Sequence, residues 1–202
     1  MTTPTDEELL LASGRGDRDA FALLVQRHHR AVIHFVHRFL ATADRATAED
    51  LAQQVFLGVW RYASGFRPRA KVLTWLFRIA TNTCLNYRRY EQSRPAPVPL
   101  DQPDGSGKNE RTEGAALRLL AQERAQDVRA AVAALPPSQR AVIVLRYFHG
   151  FPYAEIATVM ETSASAVDAL LHRARHALRE KLGGQKKEDR PQVSRLQRAE
   201  SI

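Results

Sequence analysis

Apolar residues recur at intervals of three and four along most of the chain, the period of one face of an α-helix. The first helix follows Asp17 or Asp19, either of which suits a cap, and has Phe21, Leu24, Val25, Ile33 and Val36 among its apolar positions. A second is predicted from about Thr47 to Tyr62, where Leu51, Val55, Phe56, Val59 and Trp60 mark one face. Thr47 with Asp50 three residues on resembles a capping box. Ser64-Gly65-Phe66-Arg67-Pro68 breaks the pattern, and a third helix covers about Leu73 to Glu91.

Helical spacing resumes later and runs to Leu135, where Pro136-Pro137 stops it. Ser138 to Phe148 forms the next helix and His149-Gly150-Phe151-Pro152 a turn. A short helix from Tyr153 to Met160, the turn Glu161-Thr162-Ser163 and a longer helix to about Leu182 complete the pattern. No alternating strand pattern appears. The expected class is all-α: two small helical domains joined by a flexible linker, the second a helix-turn-helix.

The linker is read from composition. Pro95-Ala96-Pro97-Val98-Pro99 and Asp101-Gln102-Pro103-Asp104-Gly105-Ser106-Gly107 disfavour helix and strand alike. The expected division is a domain over 1–94, a linker over 95–114, a domain over 115–182 and a basic, disordered tail over 183–202.

With 202 residues, 44% of them apolar, the chain is long enough for one or two cored domains. It has 30 basic and 22 acidic residues, a net charge of +8, which makes a polyanion a plausible partner. Residues 1–94 hold 14 basic and 9 acidic groups, net +5; residues 95–134 hold 5 and 6, net −1; residues 135–182 and 183–202 are each net +2. Two basic blocks therefore flank a slightly acidic middle. No run approaches the ~18 apolar residues of a spanning helix, and the acidic start lacks the basic region of a secretory leader. Cys84 is the only cysteine, which excludes an internal disulfide framework and fits a reducing cytoplasm.

Candidate chemistry follows from the faces. In the last helix Val167, Leu171, Ala174 and Leu178 form one core stripe, Ser163 suits the cap, and small Ala157 allows a close crossing by the helix before it. Ser165, Ala166, Asp168, Ala169, His172, Arg173 and Arg175 are left at its start or facing outward, as in a helix that enters a major groove. A plain helical hairpin with a solvated basic face is the alternative. In the third helix Leu76, Ile79, Ala80, Thr83 and Tyr87 form a core stripe, while Trp75, Arg78, Asn82, Asn86 and Arg89 form a second. Upstream of it lies the basic loop Phe66-Arg67-Pro68-Arg69-Ala70-Lys71. Cations, aromatics and amides together suit single-stranded DNA, against a core role for Trp75 and Phe77. Glu49, Asp50, Gln53 and Gln54 on the second helix suit a protein partner or a solvated face. His28, His29, His34 and His37 lie close together, but no carboxylate or Cys on that helix completes a metal site, and no metal or cofactor is expected. No phosphate loop or nucleophile–base pair appears, so catalysis is not expected.

Three strings carry a resemblance: Ala48-Glu49-Asp50-Leu51-Ala52-Gln53-Gln54-Val55-Phe56-Leu57-Gly58-Val59-Trp60; Thr74-Trp75-Leu76-Phe77-Arg78-Ile79-Ala80-Thr81-Asn82; and Leu135-Pro136-Pro137-Ser138-Gln139-Arg140-Ala141-Val142 followed by Tyr153-Ala154-Glu155-Ile156-Ala157 and His172-Arg173-Ala174-Arg175. In this order the chain resembles an extracytoplasmic-function sigma factor of the sigma-70 family. The resemblance implies a promoter-specificity subunit with core RNA polymerase (the β′ clamp helices and the β subunit) and promoter DNA as partners, an anti-sigma factor as regulator, and no membrane insertion. It places Glu49, Asp50, Gln53, Gln54 and Phe56 against the clamp. It places Phe66, Arg67, Arg69, Lys71, Trp75, Arg78, Asn82, Asn86 and Arg89 on the −10 element, with a base flipped out. It places Tyr153, Ser163, Ser165, Ala166, Asp168, Ala169, His172, Arg173 and Arg175 on the −35 duplex. The linker, with Asp101, Asp104, Glu110 and Glu113, would thread toward the polymerase active centre and imitate nascent RNA. A conventional regulator with an N-terminal sensing domain is the competing class; it has no need of the clamp-like helix.

Overall fold

The computed structural model describes residues 3–41, 45–68, 71–93 and 113–188. Among them are eight α-helices and no strand: α1 (Asp6–Gly14), α2 (Arg18–Leu40), α3 (Arg45–Tyr62), α4 (Val72–Ser93), α5 (Glu113–Ala133), α6 (Pro137–Ile143), α7 (Tyr153–Val159) and α8 (Ala164–Glu188). A short 3₁₀ turn, Ala63–Gly65, follows α3, and α6 widens into a π-helical turn over Val144–Phe148.

The first helix has a sequence signature that apolar spacing did not reveal. Thr5 and Glu8 form a reciprocal capping box, with Glu8 N donating to Thr5 Oγ1 at 3.2 Å and Thr5 N to Glu8 Oε2 at 2.7 Å. Asp6 then ties α1 to α2 through Arg27 at 2.9 Å and His28 at 2.7 Å. Burial pushes the Asp6 carboxyl up, but these two partners outweigh it and hold it below the usual carboxylate range. Asp17 caps α2 by accepting from the amides of Asp19 and Ala20, both at 3.0 Å. By contrast α3 begins at Arg45, so Thr47 lies inside the helix and not at its cap.

The N-terminal half packs α1 to α4 around Leu10, Leu24, Val32, Phe35, Val36, Phe39, Leu51, Val55, Phe56, Leu76 and Ala80. Two expected stripes are shifted. In α2 the buried face is Ala20, Leu24, Val32, Phe35, Val36, Phe39 and Leu40, while Phe21, Val25 and Ile33 are half-buried. In α4 Phe77, Thr81 and Cys84 are buried, and Ile79, Thr83 and Tyr87 are half-buried. The physical reason is that α4 is covered on more than one side: α2 and α3 on one, α7 on the other. Phe77 sits among Phe35, His149 and Phe151, with ring centroids 5.3, 4.6 and 5.2 Å away.

The C-terminal half packs α6, α7 and α8 around Val142, Leu145, Ile156, Val159, Val167, Leu171 and Ala174. It rests directly on the N-terminal half. Arg140, only 2% exposed, donates through Nη1 to the carbonyl of Phe39 at 2.7 Å and through Nη2 to those of Leu135, at 3.0 Å, and Ala133. One guanidinium thus satisfies carbonyls left over at the C-terminal ends of α2 and α5. The expected linker falls outside the described residues except where α5 begins, at Glu113. The expected tail begins inside α8, which runs six residues past Leu182 to Glu188. Residues 189–202 lie outside the described set.

Candidate nucleic-acid and polymerase interfaces

The turn between α7 and α8 sets the first surface. Ser163 Oγ accepts from Ala166 N at 3.1 Å and is 2.9 Å from Ser165 Oγ, which fixes the start of α8. Ile156 and Ala157 of α7 and Val167 and Leu171 of α8 are all buried, and the two helices pack together. Ser163, Ser165, Asp168, Ala169, His172 and Arg173 face solvent together, and Ala166 is half-buried beside them. Arg173 Nε donates to the carbonyl of Ala169 at 3.2 Å. Arg175 turns back along its helix, donating to the Leu171 carbonyl at 3.2 Å with Asp168 4.0 Å away. Tyr153 is half-buried under the Arg146 guanidinium, 5.3 Å from its ring centre.

The second surface is a groove of about 930 Å³ between α3 and α4. It exists because Gly58 lets the helices approach; a Cβ there would stand 3.1 Å from Ile79 Cγ2. Arg78, Asn82 and Asn86 line it, as their shared stripe predicts, and so does Gln54 from across the gap. Arg61, Leu57, Tyr62 and Tyr90 also line it and were not singled out from sequence. Leu57, Tyr62 and Tyr90 are 63%, 56% and 59% exposed, which is unusual for residues of this size. The signal for Leu57 was present: it stands outside the buried run Leu51, Val55 and Val59. Arg89 is exposed further along α4.

Three of the expected contact residues lie within or against the core. Phe66 is 3% exposed and packs edge-on against Trp75 at 5.5 Å, so it is a core residue and offers no stacking face. Trp75 is half-buried against the same core. Phe56 is 6% exposed and stacks on His29 at 6.2 Å, so it supports α3 from inside. Spacing could not separate these from surface residues, because what buries them is packing against other elements, which leaves no local periodicity. Arg67 and Lys71 are exposed, and Arg69 lies outside the described residues.

The third surface is the outward face of α3. Asp50, Gln53 and Gln54 are exposed, and Glu49 is half-buried and paired with Arg45 at 2.8 Å. Leu57 continues this strip. Among the remaining candidates, His28 is held by Asp6, and His34 and His37 line a cleft with Arg38, Val128 and Phe148. No three His, Cys, Asp or Glu side chains converge among the described residues. Cys84 is fully buried, and burial pushes its thiol up to about 12. No described helix is long and apolar enough to cross a membrane.

A helix-turn-helix with an open reading edge, a polar groove rimmed by aromatics and an acid-and-amide strip define a two-domain helical transcription protein. Comparison with known proteins fits this class. Residues 24–94 match the model for sigma-70 region 2, and residues 125–178 match the model for sigma-70, region 4. The RNA polymerase sigma-H factor of Pseudomonas aeruginosa is 31% identical over 183 residues, 88% of this chain and 94% of that protein. The ECF RNA polymerase sigma-E factor of Escherichia coli K12 is 32% identical over 186 residues, again 88% and 94%. CnrH, solved in complex with the cytosolic domain of CnrY, has a TM-score of 0.63 at 27% identity and covers 89% of this chain and 97% of its own. The chain belongs to the extracytoplasmic-function sigma factors of the sigma-70 family.

Proposed function

We propose that this chain is an alternative sigma factor that joins core RNA polymerase, directs it to a particular set of promoters and helps open them. We divide it into a polymerase-binding and −10 domain over 1–94, a linker over 95–114, a −35 domain over 115–182 and a basic tail. The observation that carries the reading is the co-occurrence of all three surfaces on one chain. A free-standing regulator needs only the helix-turn-helix.

Each surface has its role. Glu49, Asp50, Gln53 and Gln54, with Leu57 beside them, would meet the β′ clamp helices. Charge and amide groups around an exposed apolar side chain make a small protein-binding patch. Arg67, Lys71, Arg78, Asn82, Asn86 and Arg89 would hold the −10 strand, the cations on phosphates and the amides on the edges of an unpaired base. The exposed tyrosines of the groove, not Phe66, are the stacking candidates in this conformation. Ser165, Asp168 and Ala169 would read −35 base edges while Arg173 and Arg175 meet phosphates. Sigma factors are initiation factors and not enzymes, and the reading assigns no catalytic residue, metal or cofactor. It places the protein in the cytoplasm with polymerase. An anti-sigma factor is the expected regulator, as NepR is for the sigma factor RpoE of Bartonella quintana.

Paired substitutions test the division of labour. Asp50→Arg should lower affinity for core enzyme at least tenfold in a binding titration, with the fold intact by circular dichroism. Asn82→Ala should leave core binding alone and slow promoter opening, measured by permanganate reactivity of unpaired thymines. Unchanged opening with Asn82→Ala on every promoter tested would refute the groove assignment.

A further inference from the structure

Arg27, Arg30, His34 and Arg38 follow one another along α2 at spacings of 3, 4 and 4, so they share one side of the helix. Phe148 and His149 of the turn after α6 stand across from them, and together these residues line a cleft of about 380 Å³. That is a small-molecule volume, at the low end of roughly 300–1,000 Å³. No Asp or Glu lines the cleft. Arg27 is already engaged, donating to Asp6 Oδ1 at 2.9 Å and to the Pro4 carbonyl at 2.8 Å. Arg30, His34 and Arg38 have no acidic partner among the described residues, and Arg38 lies over the Phe148 ring, 4.2 Å from its centre. Other surface cations do find carboxylates: Arg45 has Glu49, Lys71 has Glu155 and Arg175 has Asp168.

The uncompensated charge is felt at His149. Its Nε2 is buried without a hydrogen-bond partner among the described residues, and after burial it is the charges of Arg38 and His34 that lower its pKa, to about 4. The two walls of the cleft are thus in electrostatic reach of each other with no counter-charge between them, a repulsion that a bound anion would relieve. Spacing selects the kind of anion. Arg30 and Arg38 are eight residues apart, roughly 12 Å along the helix axis. A chain of two or three phosphates matches that span better than a single one, because each guanidinium can grip one end while Arg38 keeps its place on Phe148. Guanidinium forks pair with phosphate oxygens two at a time.

We infer that this cleft is a site for a small ligand carrying a chain of phosphates, free or as a nucleoside triphosphate, held by Arg30, His34 and Arg38 and closed by Phe148 and His149. The site is separate from the −35 edge, the α3–α4 groove and the outward face of α3, since no residue assigned to those surfaces lines it. A ligand there ties α2 to the turn after α6 and stabilises the folded chain by mass action.

The test titrates inorganic tripolyphosphate into the full chain by calorimetry, with ATP, orthophosphate and a single-stranded oligonucleotide of random sequence in parallel. Saturable one-to-one binding of tripolyphosphate is expected, at least tenfold weaker in Arg30→Gln/Arg38→Gln. The control Arg15→Gln/Arg18→Gln removes the same charge from exposed positions around the start of α2 and should stay within twofold of the parent. Tripolyphosphate should also raise the thermal unfolding midpoint of the parent and leave that of the double variant unmoved. Arg38 packs on Phe148, so the double variant's fold is checked by circular dichroism. His34→Gln, at an exposed side chain, gives a second reading and should weaken binding by about threefold. Tighter binding of ATP than of tripolyphosphate identifies the ligand as a nucleotide, and the reverse as a free polyphosphate. No saturable binding, an equal loss in the control, or orthophosphate binding as tightly as tripolyphosphate overturns the inference. Binding of the oligonucleotide alone also overturns it and assigns Arg30, His34 and Arg38 to a nucleic-acid backbone.

Discussion

Replacing Arg140 with methionine removes a cation that serves both halves of the molecule. In the structure its guanidinium donates to Phe39, Leu135 and Ala133, with the Leu40 carbonyl 3.5 Å from Nη1. Burial, and then the nearby charge of Arg88, lower its pKa to about 10, so it remains protonated at neutral pH. Each buried carbonyl left without a donor costs about 1–3 kcal/mol, roughly 3–9 kcal/mol for three. Against this, the variant recovers the several kcal/mol spent on desolvating the charge. The net expectation is a loss of about 3 kcal/mol. Arg140→Lys keeps the charge but not the fork, and should lose about half as much. Urea unfolding followed by helical circular dichroism measures both; at a slope of about 2 kcal/mol/M the methionine variant's midpoint should fall by about 1.5 M. A methionine variant within 1 kcal/mol of the parent would refute the reasoning, because the helix-end carbonyls would then have other partners.

His149 lies against Phe77 and Phe35, with its Nε2 buried and without a hydrogen-bond partner among the described residues. Burial first, then the charges of Arg38 and His34, lower its pKa to about 4. The unfolded chain therefore takes the proton first; stability is full above about pH 6.5 and falls toward pH 4, by about 2 kcal/mol between pH 7.5 and 5. Urea midpoints at the two pH values should show this loss in the parent and much less of it in His149→Phe. Gly14→Ala would place a methyl 2.9 Å from the Ala63 carbonyl oxygen, a backbone atom. It should destabilise the protein by about 1–3 kcal/mol, read by the same unfolding assay. Asp168→Ala should shift the −35 sequences recovered from a randomised promoter library without abolishing initiation, since one base contact is worth ~1–3 kcal/mol.

The helices of both halves were legible because their apolar spacing is regular and their stops, Pro136-Pro137 and Ser64 to Pro68, are chemically strong. Among the candidate residues, the common groove wall of Arg78, Asn82 and Asn86 was legible for the same reason: polar side chains at helical spacing must share a face. What could not be read was which apolar residues that face would lose to a neighbour. Phe66, Phe56 and Trp75 looked like surface groups from their motifs, but the fold buries them wholly or in part. Phe77 is buried because His149 and Phe151, more than seventy residues on, close over it. Pairings such as Glu155 with Thr74, 81 residues apart, leave no local periodicity to detect. The helix α1 was a different case, since its signal lay in polar capping at Thr5 and Glu8 and not in apolar spacing.

The central claim is that this chain gives core RNA polymerase its promoter choice, and run-off transcription with purified core enzyme tests it most directly. On a promoter selected from a random library, the account expects transcripts from a discrete start only when the chain is present, and few with Asn82→Ala. If the chain binds duplex promoter on its own yet never supports initiation with core enzyme, the account is contradicted.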